Sequence, residues 1–564
     1  MNKTQEPSEQ AYTRWLRRYG PVVVLYVLAT LFTNAYYMGD TRIYVKDILE
    51  ASGYQFWDFG HILWRPLGWL LDLMFRPLTR VIGGDDAQAD VALILMAVSW
   101  ISGLGSVLLV HALARRFCQR GWCIYLVTAA CLFANAFLNY SQSGHSYIPG
   151  LALLLLGLYV LVVGGEKTTP SLLTPLLAGA ALALSAAMWF PFVLSVPAIL
   201  VCPLFLFGFN KSQLRLTSHT IIAFALVITV IYAMVLMHLS ITNFSGLKAW
   251  ILSSAHGVDG MKGVPRMIFG FARSLINMGN DGRVFKRYVV GDPLNPVSFF
   301  DLFRLSLWKV GLFYTFFFSV LINLLFSRLG RRALALFVLS AAPLIVFALF
   351  LFESGTIDRY LPLYPMFFLA LSVSLRSDNA WSVTKVATGL FVVAAIISNV
   401  NAMAKGTLDR QQEMAAARIV DLQSLLKPGN SRVITIGEQD PVYAFNVNFL
   451  FHPLNRRGRF QTDPIVAPGT VLVLTWRNIF AAKTLALWDR GGDVWITKRL
   501  LHSHPSPEWE WVEGDDPRVT WKDIYSFFAQ LEMGQSVGGG DGFVLVEHSP
   551  RNEQFLRGFV VEKK

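Results

Sequence analysis

Four carboxylates and one histidine lie close together in Met38–Leu71, directly after the first long apolar run of the chain. They are Asp40, Asp47, Glu50, Asp58 and His61. A carboxylate at the mouth of a membrane-length apolar helix is costly unless it faces water or a partner, so it is a functional candidate. Asp40 is flanked by tyrosines and is the strongest of these candidates. A carboxylate in this position can serve as a general base that takes a proton from a hydroxyl group.

Each of these residues also has a structural interpretation. Asp commonly caps a helix, and Thr41–Leu49 is a helix that Asp40 can cap. Asp47 and Glu50 are then expected on the solvated face of that helix. Asp58 and His61 are spaced so that both can ligate a metal, but two ligands do not define a metal site. For His61, an interfacial histidine with a local hydrogen bond is the simpler interpretation.

The composition is that of a polytopic membrane protein. Of the 564 residues, 54% are hydrophobic and only 15% are charged, against about 25% charged in soluble proteins. The 16 Trp and 42 Phe suit aromatic belts at membrane interfaces. The net charge of +12 raises the question of nucleic-acid binding. The basic residues lie mainly in loops between apolar runs, however, so membrane topology explains them and a nucleic-acid partner is not expected.

About eleven apolar runs have the length of a membrane span. They cover residues 21–38, 90–112, 122–139, 147–163, 171–188, 190–208, 217–238, 306–326, 332–352, 360–375 and 384–400. The fifth and sixth runs meet at Trp189-Phe190-Pro191, where the proline predicts a break. Leu63–Leu78 is interrupted by Arg65, Asp72 and Arg76, and this pattern predicts an amphipathic helix at the interface.

The basic loops predict the orientation. They contain Arg14, Arg17, Arg18, Arg115, Arg116, Arg120, Lys167, Lys211, Arg215, Arg328, Arg331, Arg332, Arg376 and Lys385. All of them fall on one face if the N-terminus is cytoplasmic, as the positive-inside rule requires. The opposite face then receives residues 39–89, 140–146, 239–305, 353–359 and everything after 400. The predicted localisation is therefore an integral membrane protein. In a bacterium it would lie in the inner membrane with a periplasmic C-terminal domain, and in a eukaryote this face would be lumenal.

A second element with chemical potential runs from Glu353 to Pro365 and contains Asp358-Arg359-Tyr360. An arginine at the interface can bind a phosphate through two parallel hydrogen bonds. It can equally extend its charged end to lipid headgroups. The polar loop Asn139–Tyr147 lies on the same predicted face. Its His145 is either a ligand-binding residue or a plain loop residue.

These elements resemble the membrane glycosyltransferases of the GT-C type, in the group of protein mannosyltransferases and aminoarabinose transferases. The resemblance is carried by Gly39-Asp40, Phe56-Trp57-Asp58, Arg65–Leu70 and Arg359-Tyr360. It implies inverting transfer of a sugar from a polyprenyl-phosphate donor to a lipid, glycan or protein acceptor on the extracytoplasmic face. Asp40 would be the base. Many relatives have two adjacent acids where Thr41 follows Asp40 here, so the need for a divalent metal, with Asp40 and Asp58 as candidate ligands, stays open.

Further residues are assigned to donor or acceptor binding. They are Asp58, His61, His145, Tyr147, Lys262, Arg266, Glu353, Arg359 and Tyr360. Lys262 and Arg266 belong to the long loop Ile241–Leu305, whose basic residues run against the predicted charge bias. A loop that closes over an anionic donor explains them. Binding of anionic lipid headgroups is the alternative.

The predicted fold class is an α-helical polytopic membrane protein with a soluble C-terminal α/β domain. Residues 1–400 form the membrane-embedded catalytic domain, with loops at 39–89 and 239–305, and residues 401–564 form the α/β domain. Strands are predicted at Arg432–Ile436, Thr470–Thr475, Asp493–Thr497 and Gly542–Glu547, and helices at Ala481–Arg490 and Trp521–Leu531. Gly538–Gly542 precedes a strand and opens no helix, so it is predicted to be a turn or a flexible link and not a dinucleotide-binding loop.

Two other functions are compatible with this pattern. A lipid-linked glycan transporter or flippase would place acids or broken helices near the bilayer midplane, whereas here the acids cluster at one face. A non-catalytic subunit of envelope assembly would use the membrane part as a scaffold. The identities of the sugar and of the acceptor do not follow from the sequence.

Overall fold

The computed structural model divides the chain into two compact units, one up to Lys405 and one from Gly406 onwards. The described residues are 7–83, 86–254, 264–278, 288, 297–350, 356–376, 382–408, 410, 413, 420, 422, 424–427, 430–436, 461–464, 476–504, 521–539 and 542–560. Each unit is taken separately below.

The first unit is helical, because a helix satisfies the backbone hydrogen bonds of an apolar segment internally. Its helices are α1 Pro7–Phe32, α2 Gly39–Glu50, α3 Trp64–Gly83, α4 Ala87–Phe117, α5 Gly121–Leu132, α6 Asn135–Tyr140, α7 Tyr147–Gly165, α8 Leu173–Met188, α9 Val196–Phe207, α10 Lys211–His238, α11 Phe244–Ser253, α12 Val264–Leu275, α13 Phe299–Leu302, α14 Trp308–Leu325, α15 Arg328–Phe350, α16 Tyr364–Ser374 and α17 Val383–Met403. Short 3₁₀ turns lie at Phe59–His61, Phe190–Ser195 and Asp358–Leu363, and a π turn at Phe303–Leu307 joins α13 to α14.

Seven helical segments of the described residues are long and apolar enough to cross a membrane. They are Ala87–Phe117, Tyr147–Gly165, Phe190–Phe207, Lys211–His238, Phe299–Leu325, Arg328–Phe347 and Val383–Met403. The polytopic helical class is therefore confirmed, but the count of about eleven is not. Four runs are not among the seven. Run 21–38 lies in α1, which ends at Phe32, and run 171–188 gives α8, a helix of 16 residues. Residues 122–139 form two helices that part at Phe133–Ala134, and run 360–375 begins within the turn Asp358–Leu363.

The predicted break at Trp189-Phe190-Pro191 is confirmed. Trp189 is extended, with φ −154° and ψ 112°, and the 3₁₀ turn Phe190–Ser195 follows it. The amphipathic helix expected at Leu63–Leu78 is α3, which buries Arg65 and Asp72 and leaves Trp69 and Leu70 exposed.

Part of the long loop packs more deeply than its polar composition predicts. Ala272, Leu275 and Ile276 near the end of α12 are buried in the main core of the first unit. Asn399 of α17 donates a hydrogen bond to the carbonyl of Leu275 across 2.9 Å. This part of residues 239–305 therefore belongs to the helical bundle.

The second unit contains a five-stranded mixed sheet in the order β2-β1-β3-β5-β4. The strands are β1 Ser431–Thr435, β2 Gln461–Pro464, β3 Asp493–Thr497, β4 Met533–Val537 and β5 Phe543–Val546; the helices are α18 Trp476–Trp488, α19 Trp521–Phe528 and α20 Pro550–Arg557. β1 pairs in parallel with β2 and β3, while β5 runs antiparallel to β3 and β4. The α/β class is confirmed, β4 connects to β5 through the predicted glycine turn, and the strand predicted at Thr470–Thr475 lies outside the described residues.

Candidate active site

The segment that leads to Asp40 is held in place by Asn139, at the end of α6. The side-chain oxygen of Asn139 accepts hydrogen bonds from the backbone N–H groups of Tyr36 and Tyr37, at 3.0 and 3.1 Å. Its amide group donates to the carbonyl of Tyr37. Since Asn139 is fully buried, these bonds fix the chain between α1 and α2 against the bundle.

Asp40 lies in the first turn of α2, where a negative charge is favourable. The residue at the N-cap is Met38 and no side chain caps the helix, so the capping interpretation of Asp40 is wrong. Its carboxylate accepts a hydrogen bond from the Tyr147 hydroxyl at 3.0 Å, and Nε2 of His145 lies 3.9 Å from the same oxygen, Oδ2. The Asp40 side chain remains 30% exposed, as a base that must meet a substrate requires.

A chain of ring contacts connects Asp40 to Arg359. The Tyr147 ring packs on Trp189 with 4.5 Å between the centroids. The Arg359 guanidinium lies 5.8 Å from the centre of the Trp189 ring, within cation–π range. The segment that contains Asp40 and the segment that contains Arg359 are therefore connected through two aromatic rings at one site.

Asp358 supports Arg359 and ties it to α6. Its carboxylate is paired with Arg359 at 2.8 Å and accepts a hydrogen bond from the Tyr140 hydroxyl at 3.3 Å. Tyr140 also packs against Tyr147 and His145, with centroids 5.0 Å apart in both cases. The guanidinium is thus oriented by a buried carboxylate that is itself held by the tyrosine cluster.

Asp58 and His61 belong to a second, more buried network. Asp58 accepts hydrogen bonds from Nδ1 of His61 at 2.8 Å and from Arg65 at 3.1 Å. Arg65 also binds Asp47 at 2.8 Å and stacks over the Tyr44 ring, whose hydroxyl is 3.1 Å from Nε2 of His61. The simpler interpretation of His61, a local hydrogen-bonding role, fits this geometry, while the expectation that Asp47 lies on a solvated helix face is wrong.

The charges of Asp58 and Arg65 stabilise each other, whereas burial raises the pKa of Asp47 although Arg65 opposes this effect. Burial by itself would raise the pKa of Asp58, but the hydrogen bond and charge of His61 and the charge of Arg65 hold this pKa below its ordinary value. Burial opposes the charge of Arg65, and Asp58, Tyr44 and Asp47 outweigh it, so the pKa of Arg65 is raised. Asp58 is therefore an anion that is already matched by a cation of the protein.

The turn before α7 places His145 beside Asp40. Gly144 has φ +73°, and a Cβ atom there would lie 2.9 Å from Thr41 Cγ2. Only glycine accepts this conformation and this approach at low cost. The turn therefore packs directly on α2, and His145, which follows it, is fully buried.

Tyr360 packs away from Asp40, against α12. A Cβ atom on Gly270 would lie 2.2 Å from the Tyr360 hydroxyl, and the Phe271 ring lies 6.1 Å from the Tyr360 ring. Tyr360 is 3% exposed. Its predicted role in ligand binding stays a prediction, and its visible contacts are those of packing.

Three predicted binding residues cannot be placed. Lys262 and Glu353 lie outside the described residues, and the side chain of Arg266 in α12 is likewise not described. Their roles stay predictions.

The residues around Asp40 and Asp58 do not form a matched donor set for a divalent metal. The described part of the chain contains no group of three or more His, Cys, Asp or Glu side chains that could hold one. The carboxylate of Asp58 already binds Arg65 and His61, and a cation beside Arg65 would be repelled.

Four residues of the site were not assigned a role from the sequence. They are Tyr44, Arg65, Tyr140 and Trp189. A signal existed for Trp189: the alternation of the apolar runs places the break at Pro191 on the same face as residues 140–146 and 353–359. For Tyr140 no signal distinguished it from the other aromatic residues.

The helical architecture with these loops at one site is the GT-C fold that the sequence resemblance predicts. The structure of ArnT from Cupriavidus metallidurans in the apo state is similar to this chain with a TM-score of 0.50 and 12% identity, over 97% of this chain and 99% of that one. Similarity at this level of identity establishes the fold.

Two further structures are more distant. ArnT from Cupriavidus metallidurans bound to undecaprenyl phosphate has a TM-score of 0.49 and 11% identity, over 93% of this chain and 98% of that one. The arabinofuranosyltransferase AftD from Mycobacteria has a TM-score of 0.43 and 12% identity, over 95% of this chain and 40% of that one. No family model and no curated protein sequence matches the chain.

Proposed function

We propose that this protein is an integral membrane glycosyltransferase that moves a sugar from a polyprenyl-phosphate donor to an acceptor hydroxyl on the extracytoplasmic face. The observation that carries the proposal is the series of contacts that connects Asp40 to Arg359: a hydrogen bond from Tyr147 to Asp40, ring packing of Tyr147 on Trp189, and the cation–π contact of Arg359 with Trp189. It brings a carboxylate suited to general-base catalysis and a guanidinium suited to phosphate binding into one site, which is the pair that this reaction needs.

The two residues have complementary roles. Asp40 takes the proton from the acceptor hydroxyl as that oxygen attacks the anomeric carbon. Arg359 stabilises the negative charge that develops on the departing lipid phosphate. Attack opposite the leaving phosphate inverts the anomeric configuration. Asp358 and Tyr140 orient the guanidinium before the substrate arrives, so little reorganisation remains for the transition state.

The location of the site suits a lipid-linked donor. The predicted topology puts the site at the membrane boundary, where α2 and α3 form part of the first extracytoplasmic loop, residues 39–89. A polyprenyl chain can then remain in the bilayer while its phosphate reaches Arg359. On this account the C-terminal α/β domain is periplasmic and assists acceptor binding.

The test is sugar transfer by the purified protein in liposomes. Labelled polyprenyl-phosphate sugars and, in parallel, the matching nucleotide sugars are offered with envelope lipids, glycans and peptides as acceptors. We expect transfer from lipid-phosphate donors only, with the opposite anomeric configuration in the product by NMR. Transfer from nucleotide sugars, or retention of configuration, would contradict the proposal.

The transporter alternative makes a different prediction in the same vesicles. A flippase would make the labelled lipid accessible on the other side of the bilayer without consuming it. We expect consumption of the donor and release of polyprenyl phosphate, and no exchange of intact donor between leaflets above that of empty liposomes.

A further inference from the structure

His145 is enclosed by four tyrosine rings beside the proposed base. The centroids of Tyr37, Tyr44, Tyr140 and Tyr147 lie 6.2, 6.0, 5.0 and 5.1 Å from that of the imidazole. The side chain of His145 has no exposed surface. An imidazole in this position does not meet a sugar directly, although the sequence pattern suggested ligand binding.

The two ring nitrogens have different environments. Nδ1 lies 2.7 Å from the Ser143 hydroxyl and 3.4 Å from that of Thr41. Nε2 is buried, makes no hydrogen bond with the described residues, and lies 3.9 Å from Oδ2 of Asp40. Among the described residues, the proposed base is the carboxylate that lies within 4 Å of Nε2.

The tautomer of His145 follows from what its two nitrogens face. Burial lowers the pKa of His145 although the charge of Asp40 opposes this effect, so the ring is neutral near pH 7 and one nitrogen carries the proton. The 2.7 Å contact between Nδ1 and the Ser143 hydroxyl can form with either tautomer, because a hydroxyl both donates and accepts. Only a proton on Nε2 makes the contact with the Asp40 carboxylate attractive, and the Ser143 hydroxyl then donates to Nδ1.

We propose that His145 is a positioning residue that directs its Nε2–H at Oδ2 of Asp40 and favours the ionised carboxylate. This inference rests on the proposed function, in which Asp40 is the base. Together with the Tyr147 hydroxyl it fixes the rotation of the carboxylate and keeps it deprotonated at lower pH. The contact of 3.9 Å shortens to a hydrogen bond when the acceptor is bound, as catalytic contacts commonly do.

Other ionisable groups surround the pair and must be accounted for in a pH experiment. They are Tyr44, Tyr140, Tyr147, His61, Asp358 and Arg359. The tyrosines titrate near pH 10 in water, Asp358 is paired with Arg359, and His61 is bonded to Asp58. A change confined to the acid range in a His145 variant therefore reports on Asp40.

The experiment compares His145→Gln with His145→Asn, because a glutamine amide occupies the place of Nε2 and an asparagine amide that of Nδ1. The full-length protein in detergent is treated with a carbodiimide, which reacts with protonated carboxyl groups, from pH 4 to 8. Labelling of Asp40 is followed by peptide mass spectrometry. This readout needs no substrate, so it stands even if no sugar transfer is found.

We expect the midpoint of Asp40 labelling to rise by about one pH unit in His145→Asn and to stay near the wild-type value in His145→Gln. Ser143→Ala removes the hydroxyl that donates to Nδ1, and should shift the midpoint in the same direction by less. Labelling of the exposed Glu50 is the internal control, and His504→Asn, at an exposed histidine of the second unit, is the matched variant.

The acid limb of kcat/KM for transfer should move in parallel with the labelling midpoint. A midpoint that is unchanged in both His145→Asn and Ser143→Ala overturns the proposal. Equal shifts in His145→Gln and His145→Asn also overturn it, because the N–H group at Nε2 would then not be responsible. Failure of the base assignment gives a separate result: transfer would survive Asp40→Asn whatever the His145 variants do.

Discussion

The Tyr147 hydroxyl donates a hydrogen bond to Oδ2 of Asp40 across 3.0 Å. Tyr147 begins α7, and Asp40 lies in the first turn of α2, so this bond joins two helices at the proposed base. Because the Tyr147 ring also packs on Trp189, the position of Asp40 depends on the helix break at Pro191. The predictions below separate the chemical groups of the site from the packing that holds them.

Tyr147→Phe should lower kcat without unfolding the protein. The variant keeps the ring contact with Trp189 and removes only the hydroxyl that orients Asp40. A hydrogen bond to a charged group contributes about 1.5–3 kcal/mol, so we expect a loss of roughly ten- to a hundredfold in initial rates at saturating donor. Tyr125→Phe, at a tyrosine that is 42% exposed, is the control; equal rates in both variants would show that the Tyr147 hydroxyl has no catalytic role.

Arg359→Ala should raise the KM for the lipid-phosphate donor while the protein stays folded. Loss of charge-assisted hydrogen bonds to the phosphate predicts an increase of roughly ten- to a hundredfold. Arg359→Lys keeps the charge but loses the planar guanidinium, so its donor KM should lie between those of the wild type and Arg359→Ala. The measurement is donor-dependent rate together with inhibition by polyprenyl phosphate, which should weaken in parallel.

The control for Arg359 is Arg331→Ala, at an exposed arginine. Thermal unfolding is recorded as well, because Asp358 loses its partner in Arg359→Ala. A normal donor KM in a folded Arg359→Ala protein would remove Arg359 from phosphate binding.

Arg65→Met should destabilise the first unit strongly. It leaves Asp47 and Asp58 as buried carboxylates without their cation, and breaking a buried pair costs about 3–5 kcal/mol. The measurement is the thermal midpoint in detergent, compared with Arg80→Met at an exposed arginine of the same helix. Similar midpoints for the two variants would show that the network around Asp58 does not support the fold.

Acid should destabilise the same network. The pKa of Asp58 is lower in the folded protein than in the unfolded chain, so its contribution to stability is present above the unfolded value of about 4 and is lost as the pH falls. Asp58→Asn should therefore flatten the acid side of a plot of unfolding midpoint against pH below about pH 5. A steep acid side in this variant would assign the dependence to other carboxyl groups.

Gly270→Ala should disturb the packing of α12 on Tyr360 in the turn Asp358–Leu363. The added methyl group would meet the Tyr360 ring at 2.2–2.4 Å, and overpacking of this kind costs about 1–3 kcal/mol. Gly389→Ala in α17 has no atom within 4 Å of the added carbon and should instead stabilise by roughly 0.5–1 kcal/mol. Thermal unfolding of both variants checks the prediction; an unchanged midpoint in Gly270→Ala would mean that α12 does not pack on Tyr360.

Much of the helical part could be predicted because a long apolar run predicts a helix from the local sequence alone. The amphipathic pattern that begins at Leu63 and the proline at 191 likewise report local structure. The count of spans could not be predicted, since the break at Phe133–Ala134 is marked by no proline, glycine or charged residue in the sequence. In the second unit β4 was missed because Met533–Val537 lacks the apolar alternation of a strand.

The site was predicted in part for a similar reason. Asp40 and Arg359 are charged residues at the ends of apolar runs, so they stand out in a linear sequence. Asp47 was misplaced because its partner Arg65 lies on the next helix, and the pairing depends on how α2 packs on α3. Tyr140 is recognisable only after the fold brings it to Asp358.

The most direct test of the account compares Asp40→Asn with Glu50→Gln in the liposome transfer assay. Both variants change one acid of α2 to its amide, but Glu50 is exposed and has no assigned role. If Asp40 is the base, Asp40→Asn should lose about 10²–10⁴-fold in kcat and keep its donor KM, while Glu50→Gln transfers at the wild-type rate. Transfer by a folded Asp40→Asn protein at a rate close to that of Glu50→Gln would contradict the central claim.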